Sequence, residues 1–274
     1  MVAYKVAFQG ERGAYSEQAA LKYFKEGIEL LPLRSLFDVF DAIENYKADY
    51  GIAPIENSIE GSVNETYDLL LEKDLKVIGE VKERIVHCLI VHPEIKDIKE
   101  LKVVYSHHQA LAQCRNFLKK MNLPYEPYYD TAGSVKMIKE KGYKQAGAIA
   151  GERASQIYSM KILFKGIEDN ASNFTRFLIL SREPLNKKSK RDKTSIIFTT
   201  KHEPGALYRA LEEFALRNIN LTMIVSRPTK TKPWEYNFYL DFEGNLQDKL
   251  VMEVLKGLEK KTSFIKVLGS YPSH

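Results

Sequence analysis

A cluster of polar side chains opens an otherwise apolar run at residues 170–180, NASNFTRFLIL. Its second half has the composition of a buried strand, but polar groups that enter an interior must find hydrogen-bond partners or face a ligand. Alternation along a strand sends Thr175 and Arg176 to opposite sides, so Thr175 can donate to a ligand only if Arg176 is held elsewhere. A structural role for both, with Thr175 as a cap and Arg176 in an ion pair, fits the spacing equally well.

Small and hydroxyl-bearing residues also occupy five turns, each lying between an apolar run and a helical period. The segments are VAFQGERGAYSEQAALKYF, YGIAPIENSIEGSVNETYDLLL, KVVYSHHQALAQCRNFL, PYYDTAGSVKMIKEK and AGAIAGERASQIY. Helix N-termini present free backbone N–H groups and attract carboxylates. Gly10, Gly13 and Ala14 would let a ligand approach the backbone, and Tyr15 and Ser16 would add hydroxyl donors. We predict that the five turns line one rim, although a single Ser such as Ser16 would also suit a helix N-cap.

Hydroxyl, amide and imidazole groups fill the other turns. They are Asn57 and Ser58 in the second turn, Ser106, His107 and Gln109 in the third, and Thr131 and Ser134 in the fourth. Adjacent residues on a helix point about 100° apart, so His107 and His108 can hardly bind one metal ion together. We predict no metal site. Glu56, Glu60 and Glu152 are candidate acids or bases that would equally suit surface or cap positions.

Alternating strand and helix patterns over residues 1–181 must position these turns, and such alternation is typical of an α/β fold. The β-branched stretch VIGEVKERIVHCLIVHPE is longer than one typical strand and suits a crossing from one lobe to another, with FTRFLIL as the return. We therefore predict two α/β lobes, residues 1–80 with 168–181 and residues 81–167. A ligand cleft would lie between them.

A polar, basic segment, SREPLNKKSKRDK, follows the lobes, and we predict a solvated linker at residues 182–193. Beyond it, strand and helix patterns follow the order βαββαβ, with Pro204 opening the first helix and Pro228 closing the second strand. This order predicts an α+β, ferredoxin-like domain over residues 194–274.

Composition restricts the class of protein. A chain of 274 residues that is 44% hydrophobic is long enough for more than one core. Its formal charge of +5 arises from interspersed acids and bases, so we predict no nucleic-acid partner. The first residues alternate like a strand and no run of 18 apolar residues occurs, which predicts a cytoplasmic protein with no membrane contact. Cys88 and Cys114 lack metal-ligand spacing, and we expect reduced, buried thiols.

Six motifs together resemble one enzyme family. GAYSEQAA, PIENSIEGSV, SHHQALAQC, DTAGSVKMI, AIAGERAS and NFTRFLIL occur in the order, and with roughly the separations, seen in prephenate dehydratases. PGALYRAL and SRPTKTKPWEYNFYLDFEG resemble the phenylalanine-binding ACT domain that follows in that family. The resemblance covers nearly the whole chain. It implies a two-lobed catalytic domain built like a periplasmic solute-binding protein, and a regulatory domain that pairs with its copy in another subunit of a dimer or tetramer.

The reaction implied by the resemblance converts prephenate to phenylpyruvate, carbon dioxide and water in L-phenylalanine biosynthesis, without metal or cofactor. Thr175 matches the family's catalytic threonine and would donate a hydrogen bond to the departing hydroxyl, whereas Arg176 would balance substrate charge or brace the turn. The substrate-binding residues that the resemblance implies are Ala14, Tyr15, Ser16, Asn57, Ser58, Ser106, His107, Gln109, Thr131, Ser134, Asn173 and Phe177.

The implied allosteric phenylalanine site lies between two subunits. Gly205, Ala206 and Leu207 match its first motif, and Ser226, Arg227 and Pro228 match its second. The chain departs from the family pattern at Val225, where an acidic residue is common, and at His108, where Pro is common.

Three other functions are also compatible with the sequence. An arogenate dehydratase would act on the amino-acid counterpart of prephenate, and a non-catalytic small-molecule-binding protein could use the same two lobes. A transcription regulator with an ACT-type sensor would need a helix-turn-helix, which we do not find before or after the cleft.

Overall fold

The structure, a computed structural model, describes residues 3–230 and 232–273. The first lobe contains the opening strands and helices of the chain. Val6, Ala7 and Phe8 are fully buried because a parallel strand in the middle of a sheet is covered on both faces. The elements are β1 (Tyr4–Gln9), α1 (Tyr15–Phe24), β2 (Ile28–Leu33), α2 (Leu36–Glu44), β3 (Tyr50–Asn57), β4 (Gly61–Ser62), α3 (Asn64–Glu72) and β5 (Lys76–Arg84).

The second lobe follows a crossing at residues 85–87 and has its own five-stranded sheet, in the order β10-β6-β9-β7-β8. A short 3₁₀ turn, Ile98–Glu100, precedes β7. The elements are β6 (Cys88–Val91), β7 (Val103–Ser106), α4 (His108–Gln113), α5 (Arg115–Lys120), β8 (Tyr125–Pro127), α6 (Thr131–Glu140), β9 (Ala146–Ala150), α7 (Glu152–Ile157) and β10 (Lys161–Lys165).

The chain returns to the first lobe through residues 166–173 and forms β11 (Phe174–Ser181). This strand lies antiparallel between β3 and β5, which completes the sheet order β2-β1-β3-β11-β5 with β4 on the edge of β3. The crossing between the lobes therefore begins after Arg84, a few residues later than the predicted boundary at 81. The return crossing precedes FTRFLIL, which is itself a central strand.

The C-terminal domain has the predicted βαββαβ order, and its sheet runs β13-β14-β12-β15. Alternation along its first strand sends Ile196 and Phe198 to the two helices and Ile197 to the opposite face. The elements are β12 (Asp192–Thr199), α8 (Ala206–Ala215), β13 (Leu221–Pro228), β14 (Tyr236–Glu243), α9 (Lys249–Glu259) and β15 (Phe264–Pro272). The mixed fold class, α/β followed by α+β, is confirmed.

The open face of the C-terminal sheet packs directly on the first lobe. Ile197, Tyr239 and Leu268 share one buried cluster with Leu178 and Leu180 of the first lobe. Gly269, with φ of 152°, lies so close to β5 that a Cβ there would collide with the carbonyl oxygen of Val77. The two domains are therefore joined by a shared core as well as by the linker.

The predicted linker is shorter and less solvated than its composition indicates. β12 begins at Asp192 instead of 194, and both Asp192 and Lys193 are buried. The Nζ atom of Lys193 lies 2.9 Å from both carboxylate oxygens of Glu80. The interpretation of the whole basic run as a solvated hinge is wrong at this end, because a partner distant in sequence neutralises the lysine.

Candidate active site

A cavity of about 460 Å³ lies between the two lobes. Its walls come from the ends of β1, β3 and β7 and from the starts of α1, α3, α4 and α6, which include four of the five predicted rim turns. The fifth turn packs behind Tyr15, where Gly151 meets the side chains of Gln18 and Tyr15. The predicted site residues that line the cavity are Tyr15, Ser16, Asn57, His107, Gln109, Thr131, Thr175 and Phe177.

The hydroxyl of Thr175 is held by one amide. Asn57 Nδ2 donates to Thr175 Oγ1 over 3.0 Å, and the register of β11 on β3 places these two residues side by side. Because Asn57 supplies a donor, the Thr175 oxygen already accepts one hydrogen bond, and its own hydrogen can be donated into the cavity. Thr175 is half-buried, so a bound ligand can reach it.

Asn57 is itself fixed by the backbone. Its Oδ1 accepts hydrogen bonds from the N–H groups of Ile59 and Glu60, over 2.9 and 3.0 Å. Its Nδ2 also donates to the Oδ1 of Asn173 over 2.7 Å. The amide of Asn57 can therefore adopt only one orientation, with nitrogen toward Thr175.

The cavity is polar but has little formal positive charge. No Lys or Arg is among the described residues that line it, whereas Glu60 and Glu65 are. Burial and then the neighbouring His108 lower the pKa of His107, which favours a neutral imidazole. Recognition of an anion must therefore come from neutral donors and from the backbone N–H groups at the starts of α1 and α3, which have no side-chain cap, whereas Asp130 caps the first turn of α6.

Several predicted site residues lie outside the cavity, and each has a structural partner. The hydroxyls of three serines bond to the backbone: Ser58 Oγ donates to Ser172 O and accepts from Phe174 N, Ser106 Oγ donates to Ile149 O, and Ser134 Oγ donates to Asp130 O. Ala14 is the buried N-cap residue of α1. Asn173 is buried behind Asn57, to which it is hydrogen-bonded. Ser16, by contrast, is not an N-cap and faces the cavity.

Arg176 points away from the cavity. Its Nη1 lies 2.6 Å from Asp241 Oδ2 in the C-terminal domain and 3.1 Å from Glu80 Oε2, and its Nε lies 3.2 Å from Glu56 Oε1. Placed there, it cannot touch a ligand in the cleft, so this geometry contradicts a role in balancing substrate charge. The ion-pair alternative agrees with the structure, and Thr175 is left facing the cleft.

The glycines of the first turn serve a different purpose from the one predicted. A Cβ at Gly13 would come within 2.7 Å of the Ala154 Cα in the second lobe, and one at Gly10 within 2.8 Å of Asp130 Oδ2. Both glycines have positive φ, 94° and 108°. They permit the two lobes to approach each other, and neither brings the backbone closer to a ligand.

Sequence reasoning missed six polar residues of the cavity, which are Gln9, Ser62, Asn64, Glu65, His87 and Gln113. Gln113 lies one helical turn after Gln109, and that spacing could have indicated a shared face. His87 lies in the crossing between lobes, where the chain must pass the floor of the cleft. Nothing local marks Asn64 and Glu65, which reach the cavity because the turn before α3 folds back on β3.

A second cavity, of about 310 Å³, lies in the C-terminal domain. The predicted effector residues Gly205, Ala206 and Leu207 line it, together with Trp234 and Tyr236. The second motif is not among the described residues that line it, although Ser226 and Pro228 on β13 pair with Phe238 and Tyr236 of β14, which do. Its residues are Ser226, Arg227 and Pro228.

Arg227 already has a partner in the catalytic part of the chain. Its Nη2 lies 2.9 Å from Asp68 Oδ2, and Lys230 Nζ lies 2.8 Å from the same oxygen. Burial raises the pKa of Asp68, but hydrogen bonds from these two cations outweigh it and hold the pKa below its ordinary value. Asp68 belongs to α3, whose first turn lines the cleft.

The described part of the chain contains no group of three or more His, Cys, Asp or Glu residues that could hold a metal ion. No helix within residues 3–230 and 232–273 is long and apolar enough to cross a membrane. Cys88 and Cys114 are buried and unpaired, as predicted.

Comparison with known proteins identifies both domains. The family model for prephenate dehydratase matches residues 6–185, and that for the ACT domain matches residues 194–260. A prephenate dehydratase of Methanocaldococcus jannaschii is 45% identical over 95% of both chains. Arogenate dehydratase/prephenate dehydratase 2 of Arabidopsis thaliana is 44% identical over 98% of this chain and 72% of its own.

Two solved structures have the same fold over 98% of this chain. Prephenate dehydratase of Arthrobacter aurescens in complex with L-Phe superposes with a TM-score of 0.89 at 29% identity and is covered over 90%. A protein described as GqqA, a novel type of quorum quenching acylase, gives 0.90 at 30% identity and is covered over 98%. The family models and the curated relatives lead to one conclusion: the chain belongs to the prephenate dehydratase family and carries a C-terminal ACT domain.

Proposed function

We propose that the protein converts prephenate to phenylpyruvate, carbon dioxide and water in the cleft between the two lobes. The observation that carries this proposal is the hydroxyl of Thr175, which accepts a hydrogen bond from Asn57 and has its own hydrogen free for the cavity. Neutral donors and helix N-termini around it suit a small dianion. The cavity volume suits a ligand of that size.

The reaction needs placement and one proton. The bond from the ring to its carboxylate breaks, and that electron pair forms a ring double bond as the C–O bond to the hydroxyl breaks. The hydroxide leaves as water after gaining one proton, and the ring becomes aromatic. Thr175 donates a hydrogen bond to the departing oxygen and stabilises its developing charge. Ser16, Gln109 and Thr131 bind and orient the carboxylates and ring, whereas Tyr15 contributes its ring to the cavity wall because its hydroxyl contacts Val86 O and His87 Nδ1.

The test is phenylpyruvate formation from prephenate by the purified protein, with no added metal or cofactor. Rapid formation above the uncatalysed rate is the expected result. No formation by a folded protein, with prephenate intact, would overturn the proposal and leave two alternatives, an enzyme that acts on arogenate and a non-catalytic binding protein.

Arogenate is a second candidate substrate, because the cavity carries two carboxylates and no Lys or Arg among its described lining residues. The ammonium group that distinguishes arogenate could pair with Glu60 or Glu65. The ratio of kcat/KM for the two substrates decides between them. A preference for arogenate that disappears in Glu60→Gln or Glu65→Gln would assign the specificity to that carboxylate.

L-Phenylalanine is the proposed effector, bound at the cavity of Gly205, Ala206 and Leu207 and completed by Ser226, Arg227 and Pro228 of a second copy. Support comes from the edge position of β13, where Ile224 is 44% exposed and can meet a partner strand. Inhibition by millimolar phenylalanine and a dimer or tetramer in sedimentation experiments are expected. Activity that ignores phenylalanine would refute the regulatory part alone.

A cytoplasmic location, with no membrane or nucleic-acid partner, completes the proposal. The two buried, unpaired cysteines support a reducing compartment. Fractionation of cells that express the full protein tests the location.

A further inference from the structure

His87 lies in the crossing between the two lobes and is tied to both crossing segments. Its backbone N–H donates to Glu168 Oε2 over 2.9 Å. Its carbonyl oxygen accepts from the N–H groups of Gly166 and Ile167, over 2.9 and 3.1 Å. The position of its ring is therefore set by the two segments that connect the lobes.

The imidazole of His87 is 2% exposed and uses both nitrogens. Nδ1 lies 3.1 Å from the hydroxyl of Tyr15 in the first lobe, which also lies 2.8 Å from the carbonyl oxygen of Val86, and Nε2 lies 2.9 Å from Gln113 Oε1 in the second. Although the residue borders the cavity, neither nitrogen is left for a ligand. This arrangement argues against direct acid or base chemistry by His87.

The amide orientations beyond His87 follow from two backbone groups. Because Ile59 N and Glu60 N donate to Asn57 Oδ1, the nitrogen of Asn57 must face Asn173 Oδ1. The Asn173 nitrogen then donates to Gln113 Oε1 over 2.9 Å.

Gln113 Oε1 is thus an acceptor, and the His87 nitrogen that faces it must carry a hydrogen. Burial lowers the pKa of His87, with the Gln113 hydrogen bond opposing it, which agrees with a neutral ring.

We propose that His87 is a positioning residue for the dehydration: its Nε2–H orients Gln113, and through Asn173 and Asn57 it aligns the hydroxyl of Thr175. The inference rests on the proposed function of Thr175. The alignment then depends on the two crossing segments. The hydroxyl of Thr175 is in place only when Gln113 of the second lobe and Asn57 of the first lobe both keep their hydrogen bonds in this chain.

Two substitutions separate the roles of the ring nitrogens. In His87→Gln the terminal amide nitrogen takes nearly the place of Nε2 and can still donate to Gln113. In His87→Asn the shorter side chain reproduces the position of Nδ1 and leaves Gln113 without this donor. Both remove the imidazole from the same buried position, but asparagine is one methylene shorter than glutamine and leaves a larger gap, so thermal unfolding of the two variants must be compared to measure that packing difference.

The experiment measures kcat and KM for prephenate in the parent and both variants, with thermal unfolding as a check on folding. We expect His87→Asn to lower kcat about tenfold or more while KM changes less, because displacement of a catalytic group by about 1 Å can cost up to a hundredfold. His87→Gln should recover kcat to within about threefold of the parent. Equal kcat values for the two variants would overturn the inference, whether both are high or both are low.

A crystal structure of His87→Asn supplies a readout that does not need activity. The expected result is a Gln113 amide that has left Asn173, with Oε1 beyond hydrogen-bond distance of Asn173 Nδ2. An unmoved amide would overturn the inference. An inactive parent would instead refute the proposed function, and the crystallographic test of His87 would still stand.

Discussion

Thr175 and Arg176 are neighbours on one strand, yet their surroundings are opposite in chemistry. The cleft side of β11 is held by neutral amides, Asn57, Asn173 and Gln113. The other side is held by charges on Arg176 and its partners Glu80 and Asp241. On the neutral side, the hydroxyl hydrogen of Thr175 is available to a ligand in the cleft. On the charged side, the guanidinium of Arg176 is occupied by carboxylates from both domains and joins them. The cleft side can therefore act on a ligand, whereas the ion pairs on the other side stabilise the contact between the domains.

The charged side should matter most for stability. Arg176→Met leaves Asp241 buried without its cation, and breaking a buried ion pair costs about 3–5 kcal/mol. Urea unfolding should show a loss of that size in the free energy of unfolding. Arg191→Met, at an exposed position, should change it by less than about 0.5 kcal/mol. If Arg176→Met does not shift the unfolding midpoint, the charged side of β11 does not have the expected role in stability.

The cleft side should matter most for turnover. Thr175→Ala removes one positioned donor, which costs about 3 kcal/mol in the transition state, or roughly a hundredfold or more in kcat. The unfolding midpoint should stay near that of the parent, because the side chain is only half-buried. Thr175→Ser keeps the hydroxyl and should recover most of the loss. Near-normal turnover by the alanine variant would remove Thr175 from the mechanism.

Lowering the pH should reduce the stability contributed by the ion pairs on the charged side of β11, because the neutral amides on the cleft side do not titrate. Burial raises the pKa of Glu80, but Lys193 and Arg176 outweigh it and hold the pKa below the ordinary 4.5. The stability that this carboxylate contributes is therefore fully present above about pH 4.5 and is lost as the pH falls through its lowered pKa.

Unfolding free energies measured between about pH 5 and 3 check this prediction. In Glu80→Gln the curve should be flatter, by at most about 1.4 kcal/mol per pH unit for one proton. Identical slopes in the parent and variant would show that Glu80 does not titrate with folding.

The smallest effect, a change in sensitivity to phenylalanine, is expected where Arg227 of the proposed phenylalanine site contacts α3. Asp68→Asn weakens the hold on Arg227 and frees it for the proposed phenylalanine site. The phenylalanine concentration for half-inhibition should fall by up to about fivefold, or about 1 kcal/mol. Asp74→Asn, which weakens only an exposed pair with Lys76, is the matched control. An unchanged or higher concentration for Asp68→Asn would contradict this role.

Local pattern was sufficient to predict much of this molecule. Period-two alternation separated Thr175 from Arg176, and the βαββαβ order of the second domain follows from its strand and helix periods. Turn composition placed six residues on the cleft that the structure also places there, which are Tyr15, Ser16, Asn57, His107, Gln109 and Thr131.

What the sequence could not supply were partners distant along the chain. Asp241 lies 65 residues from Arg176, and Glu80 lies 113 from Lys193, so their pairing depends on how the domains pack. The same reason explains Gly10 and Gly13, whose neighbours in the second lobe cannot be inferred from the turn in which they lie. His87 and Gln113 acquire a role only when two lobes meet.

The C-terminal sheet shares a buried cluster with the first lobe, and Gly269 fits against the backbone of β5. Covalent continuity is then of secondary importance to the association of the domains. A protease cut within residues 186–190, which have no regular secondary structure apart from one bend, would yield two fragments that stay together as one particle. The linker acts mainly by raising the effective concentration of one domain near the other during folding.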